Sequence, residues 1–154
     1  YSPKEENQVQ ELSQLLFSTL RKNGATILEI NLYDLCAELI KERGYWDKLI
    51  SKESALKKKQ LKDQIQNLTQ VDSKIVPAIA QKIQSQPDLQ ILFITGVGLV
   101  YPFIRSHNLL NNLQKEAKEF PTVMSTMRFN IIKIKQIVSL FVSRQVSLPY
   151  EVKN

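Results

Sequence analysis

At 154 residues the chain has room for one domain with a real core and little room for a second. An apolar fraction of 43%, with only four glycines and six prolines, excludes a disordered or low-complexity chain. The formal charge of +6 permits contact with nucleic acid or with an acidic protein face and demands neither, and the lone Cys36 excludes an internal disulfide and a cysteine-based zinc site.

After Ser2-Pro3, residues 4–22 carry Val9, Leu12, Leu15, Leu16 and Leu20 at spacings of three and four, one buried helical stripe, with Asn23-Gly24 as its stop. Residues 25–32, ATILEINL, alternate instead. Leu28, Ile30 and Leu32 lie on one face, and the period of two predicts a short strand, half buried or near a sheet edge. Asp34 is placed to cap a following helix that carries Leu35, Leu39 and Ile40 and ends at Gly44. Within it, Leu35, Ala37 and Leu39 mark Cys36 as a buried thiol acting as a small hydrophobe. Tyr45, Trp46, Leu49 and Ile50 predict a second short helix. Residues 51–68 read as charged and helical, with Leu56, Leu61, Ile65 and Leu68 as a thin apolar seam and the lysines at 57–59 as a solvated face.

Ile75, Val76, Ile79 and Ile83 make another helical stripe, with Pro77 in its first turn or kinking it. LQILFIT, residues 89–95, is short, apolar and partly β-branched, a strand buried on both faces. Residues 103–118 predict a helix with Ile104, Leu109, Leu110 and Leu113 apolar, and FPTVM begins another strand. Strand, loop, helix and strand in that order are a βαβ unit. The predicted fold is α/β, a helix-rich single domain with a small, mainly parallel sheet.

The candidate site is the loop after LQILFIT. Gly96 and Gly98 stand where α/β proteins place ligand loops. A dinucleotide fingerprint needs a third glycine, and Tyr101 occupies its place. A phosphate-binding P-loop needs Gly-Lys-Ser/Thr, and Leu99 and Val100 stand there instead. Ser106 and His107 are adjacent, so on a helix their side chains diverge by about 100° and cannot act as nucleophile and base. His107 is the only histidine, so no partner replaces it and no histidine metal site forms. Its plainer role is a hydrogen bond to a backbone carbonyl near a helix start. The Arg105 fork suits a carboxylate or phosphate, an internal one being favoured over one on another protein. Asn111 and Asn112 are poor helix formers, so at least one is expected to make a specific hydrogen bond. No catalytic residue, metal ligand or cofactor is expected.

The stretch LFITGVGLVYPFIRSHNLLNNLQ resembles the signature of the BrxB family, a small component of BREX bacteriophage-defence systems. Its specific part is Thr95-Gly96-Val97-Gly98, then Tyr101-Pro102-Phe103-Ile104-Arg105-Ser106-His107, then Leu110-Asn111-Asn112-Leu113. GATILEINLYDLCAELIKERG and YSPKEENQVQEL resemble earlier family segments, so the resemblance covers about residues 1–124. It implies a non-enzymatic adaptor in a defence complex, acting beside a PglZ-like protein, a large ATPase and a DNA methyltransferase. On this reading Gly96, Gly98, Tyr101, Pro102, Arg105, His107, Asn111 and Asn112 fix the fold or dock the partner. The alternative is a nucleic-acid-binding module using its basic surface; otherwise DNA contact is indirect.

Two departures stand out. Family members usually carry a hydrophobic strand ahead of the position of Tyr1, so the start reads as trimmed. Residues 125–154 leave the family pattern, and none of its functions is carried onto them. There Ile131, Ile134, Val138, Phe141 and Val142 allow a basic amphipathic helix, and the β-branched content equally allows strands. No uninterrupted apolar run reaches the roughly 20 residues that span a bilayer, and no signal peptide opens the chain. A reducing cytoplasm is the expected setting.

Overall fold

The computed structural model describes residues 3–124, which fall into two units, 3–27 and 28–124. The segment 125–154, including the alternatives of helix or strands for it, lies outside the described residues.

In the first unit the 3.6-residue stripe makes helix α1, Pro3–Lys22. Leu16, Phe17 and Leu20 are buried, whereas Leu15, expected in the stripe, is 59% exposed. One step along a helix turns a side chain by about 100°, so Leu15 falls off the line through Leu16 and Leu20, and Phe17 takes its place. Asn23-Gly24 stops the helix as expected. Gly24 adopts φ 83°, and Ala25 N–H donates to the Leu20 carbonyl at 3.0 Å, closing the last turn.

The alternating segment forms strand β1, Ile27–Asn31, and the chain enters helix α2, Leu32–Glu42, at once. The cap of α2 is Asn31 rather than Asp34. Asn31 is the last extended residue, so its side chain reaches the free N–H groups of Tyr33 and Asp34, at 3.0 and 3.3 Å. Asp34 instead supplies a carboxylate to the first turn, where the helix dipole favours it. Helix α3, Trp46–Lys52, and helix α4, Lys58–Leu68, replace the continuous helix expected over 51–68. The break falls where Ala55 and Leu56 N–H both donate to the Lys52 carbonyl and Lys57 turns extended (ψ 143°), its own N–H held by Gln60 Oε1 at 3.3 Å.

A π-helical turn, Val71–Ile75, leads into helix α5, Val76–Gln84, with Pro77 in the first turn, where its missing N–H costs nothing. Strand β2, Ile91–Thr95, is buried at its first four residues, and strand β3, Thr122–Met124, lies parallel to it with Leu92 opposite Thr122 and Ile94 opposite Met124. The order β1-β2-β3 makes a small open parallel sheet with β2 central. Between β2 and β3, a 3-10 turn, Val97–Val100, and helix α6, Ser106–Leu113, complete the βαβ unit. Helix α6 is shorter than the expected span 103–118. Phe103 and Ile104 are held in a turn by donating to the Val100 carbonyl, and Arg105 is extended (φ −96°, ψ 130°) at the helix start.

The core of the second unit gathers Ile30 of β1 and Leu92 and Ile94 of β2. It joins them to Leu35 of α2, Ile75 of the π-helical turn, Ile79 of α5, and Leu109 and Leu113 of α6. Ile91 and Phe93, which alternation turns to the other face of β2, are buried as well. Among the described residues no helix is long and apolar enough to cross a membrane.

Candidate functional site

The corner after β2 is built on Gly96. It takes the left-handed conformation (φ 69°, ψ 13°) and starts the 3-10 turn, its carbonyl accepting from Leu99 N–H at 3.1 Å. The bare face of Gly96 is already filled. A Cβ there would overlap Asn31 Oδ1 and sit 3.1 Å from Asn31 Cγ and 3.4 Å from Tyr33 N. The glycine therefore serves close approach of the α2 cap, and two of the α2 N–H groups that could receive an anion, those of Tyr33 and Asp34, are held by Asn31. Thr95 Oγ1 donates to Glu29 Oε1 at 3.4 Å, a second tie between the ends of β1 and β2.

Beyond Gly96 the turn buries its two valines and presents the residues between and after them outward. Val97 and Val100 are buried, Gly98 is exposed, and Leu99 and Tyr101 are 52% and 71% exposed. The Tyr101-Pro102 peptide is cis, and Pro102 is exposed. Arg105 and His107 are exposed at the start of α6. Among the described residues no carboxylate pairs with Arg105, so the internal partner favoured from sequence is not found there. His107 likewise makes no side-chain hydrogen bond to a backbone carbonyl there. Of the two asparagines, Asn112 makes the specific bonds, its Nδ2 donating to the Asn108 carbonyl at 2.8 Å and to Asn108 Oδ1 at 3.0 Å. These bonds are local to α6, and Asn111 is exposed. The structure thus brings Gly96, Gly98, Tyr101 and Pro102 onto one turn, with Arg105 and His107 just after it and Asn111 and Asn112 further along α6.

The main feature that sequence reasoning missed lies beside this turn. An open groove of about 330 Å³ is walled by Tyr33, Cys36, Ala37 and Ile40 of α2 and by Trp46, Leu49 and Ile50 of α3. Leu61 and Ile65 of α4 close the far side, and Leu99, Val100, Phe103 and Ile104 bring in the turn. Glu53, Thr69 and the polar ends of Tyr33 and Trp46 are the polar groups of the lining, and the Thr69 hydroxyl is spent on the Ile65 carbonyl at 2.7 Å. Cys36 is buried beneath, and desolvation pushes its thiol up to about 12, so it stays protonated and packs as a hydrophobe. Among the described residues no group of three or more His, Cys, Asp or Glu is placed to hold a metal ion.

Helices α3 and α4 explain why the groove is open. Both carry apolar residues, yet neither contains a buried one. The thin seam of Leu61 and Ile65 lines the groove instead of entering a core. Lysines stand beside the groove as well. Residues 41–62 hold eight Lys and Arg against three Asp and Glu, a net +5 within a chain of +6. Lys41 Nζ sits 4.8 Å from the centre of the Trp46 ring in the groove wall, and Lys48 Nζ 5.2 Å from that of Tyr45. Lys41 thus stands over the groove wall, and Lys48 and Lys52 line the pocket next to it.

A family model described as BREX protein BrxB matches residues 28–125, which is the second unit almost to the residue. A BREX protein BrxB of Bacillus cereus (strain H3081.97) is 36% identical over 132 residues, covering 80% of this chain. The chain spans 65% of the length of that relative. No solved structure matches.

Proposed function

The chain belongs to the BrxB family, and from that membership we propose that it is a non-catalytic adaptor in a BREX-type bacteriophage-defence complex, docking a PglZ-like partner at the corner after β2. Its setting is the cytoplasm, and its further partners are the ATPase and methyltransferase of such a system. The observation that carries this reading is the filled glycine. At the place where an α/β fold would seat a phosphate, Asn31 occupies the Gly96 face, and the turn spends its exposed positions on Leu99, Tyr101 and Pro102. Apolar side chains held outward beside an unfilled groove favour protein docking. Arg105, unpaired among the described residues, adds a rigid fork for a carboxylate of the partner.

Co-purification with the PglZ-like protein tests the proposal. Tyr101→Ala and Arg105→Ala remove two exposed groups of the types that dominate interfaces, and each is expected to weaken the complex by about tenfold or more while leaving the fold intact. Absence of any association at micromolar concentrations overturns the adaptor reading.

The basic surface supports a second reading, direct contact with nucleic acid. Phosphate-driven binding requires steep weakening with salt. Lack of duplex binding at low salt removes it.

A further inference from the structure

We infer that the groove walled by α2, α3, α4 and the 97–104 turn seats an amphipathic helical segment of a partner protein whose polar flanks are acidic. The inference rests on the docking role proposed above and specifies the chemistry of what docks.

Three observations converge on this occupant. First, the walls of the groove are themselves helical, and the residues they turn inward are apolar. Tyr33, Ile50 and Leu99, about half exposed, stand at its mouth, where an incoming apolar stripe would cover them. Apolar positions at helical spacing laid into such a groove are a recurrent way of recognising a helix. Second, α3 and α4 have no fully buried residue, and Trp46, Leu49, Leu61 and Ile65 are only partly covered within the described fold. Third, lysines flank this side, within a segment, residues 41–62, whose net charge is +5. Lys41 is held over Trp46 in the groove wall, and Lys48 and Lys52 line the small pocket just beyond Leu49, which the two cavities share. Cations flanking an apolar floor complement an apolar stripe between carboxylates.

The same observations disfavour other occupants. A nucleic acid would lay its phosphates against a mainly apolar lining that holds no cation and one carboxylate, Glu53. A second copy pairing this face with itself would set two strongly basic surfaces together.

The test uses the full chain and the PglZ-like protein. Reversing Lys41, Lys48 and Lys52 to glutamate, and separately Ile50→Glu, alters exposed side chains only, so circular dichroism should match the parent. Each variant is expected to lose affinity by about tenfold or more, and the parent complex to weaken with added salt more than the lysine variant does. A photo-cross-linker at position 50 should capture a partner peptide with net negative charge and apolar residues spaced by three and four. If both variants bind as the parent does, or the captured segment is basic, the groove inference falls while the adaptor reading stands.

If the PglZ-like protein does not associate at all, the adaptor reading falls and a synthetic probe decides the groove. An amphipathic helical peptide flanked by glutamates should bind about tenfold more tightly than its lysine-flanked twin and be lost in Ile50→Glu. Equal binding of the two peptides, or duplex DNA binding that depends on the same three lysines, overturns the inference.

Discussion

Gly96→Ala is expected to destabilise the fold by about 2–3 kcal/mol, more than an exposed-loop substitution ordinarily costs. Two effects add. Alanine at φ 69° meets its own backbone, costing about 1–2 kcal/mol. Its Cβ also overlaps Asn31 Oδ1, so the cap of α2 must swing away and its hydrogen bonds to Tyr33 and Asp34 are lost, about 1 kcal/mol more. Denaturant unfolding of Gly96→Ala, Asn31→Ala and the double variant separates the two. The cap is lost only once in the double variant, so its cost should fall short of the sum of the singles by about 1 kcal/mol. Strict additivity would show that Gly96 does not hold Asn31, and the structural explanation of the glycine would fail.

Leu99→Asp is expected to do the reverse: little to stability and much to binding. The side chain is 52% exposed at the mouth of the groove, so aspartate is accommodated in the free protein. In a complex it would bury a carboxylate among apolar groups, and against an acidic partner it adds like-charge repulsion. A loss of about 2 kcal/mol or more in binding, roughly thirtyfold, is the expected size for an interface anchor. Calorimetric titration of the PglZ-like protein with each variant measures it. An unfolding midpoint close to the parent's confirms that the loss is one of contact.

The strand, turn and helix around Gly96 were legible because each signal is local. LQILFIT is too apolar and too short for anything but a buried strand, and the missing lysine and third glycine removed the usual phosphate loops. The reason for Gly96 was not legible, because the atom that fills its face belongs to Asn31, on a different strand. The cap of α2 depends on where β1 stops, which the sequence does not show: an extended Asn31 is in reach of the free N–H groups, and Asp34 is already helical. Leu61 and Ile65 expose a different limit. Helical spacing reveals that a face is apolar and is silent on whether the fold covers it. In α5 the same kind of stripe is buried at Val76 and Ile79, and in α4 it is only partly covered. The clustering of lysines over residues 41–62 was present in the sequence. Its meaning depended on the groove that the tertiary fold places beside it.

The most direct measurement of the central claim is amide hydrogen exchange of the chain with and without the PglZ-like protein, which reads the contact surface without altering a residue. Protection is expected over residues 97–105 and over the groove-lining segments of α3 and α4, with Glu29–Asn31 and the exposed side of α5 unchanged. Protection confined to other segments, with residues 97–105 exchanging as in the free chain, would contradict the claim that this corner is where a partner docks.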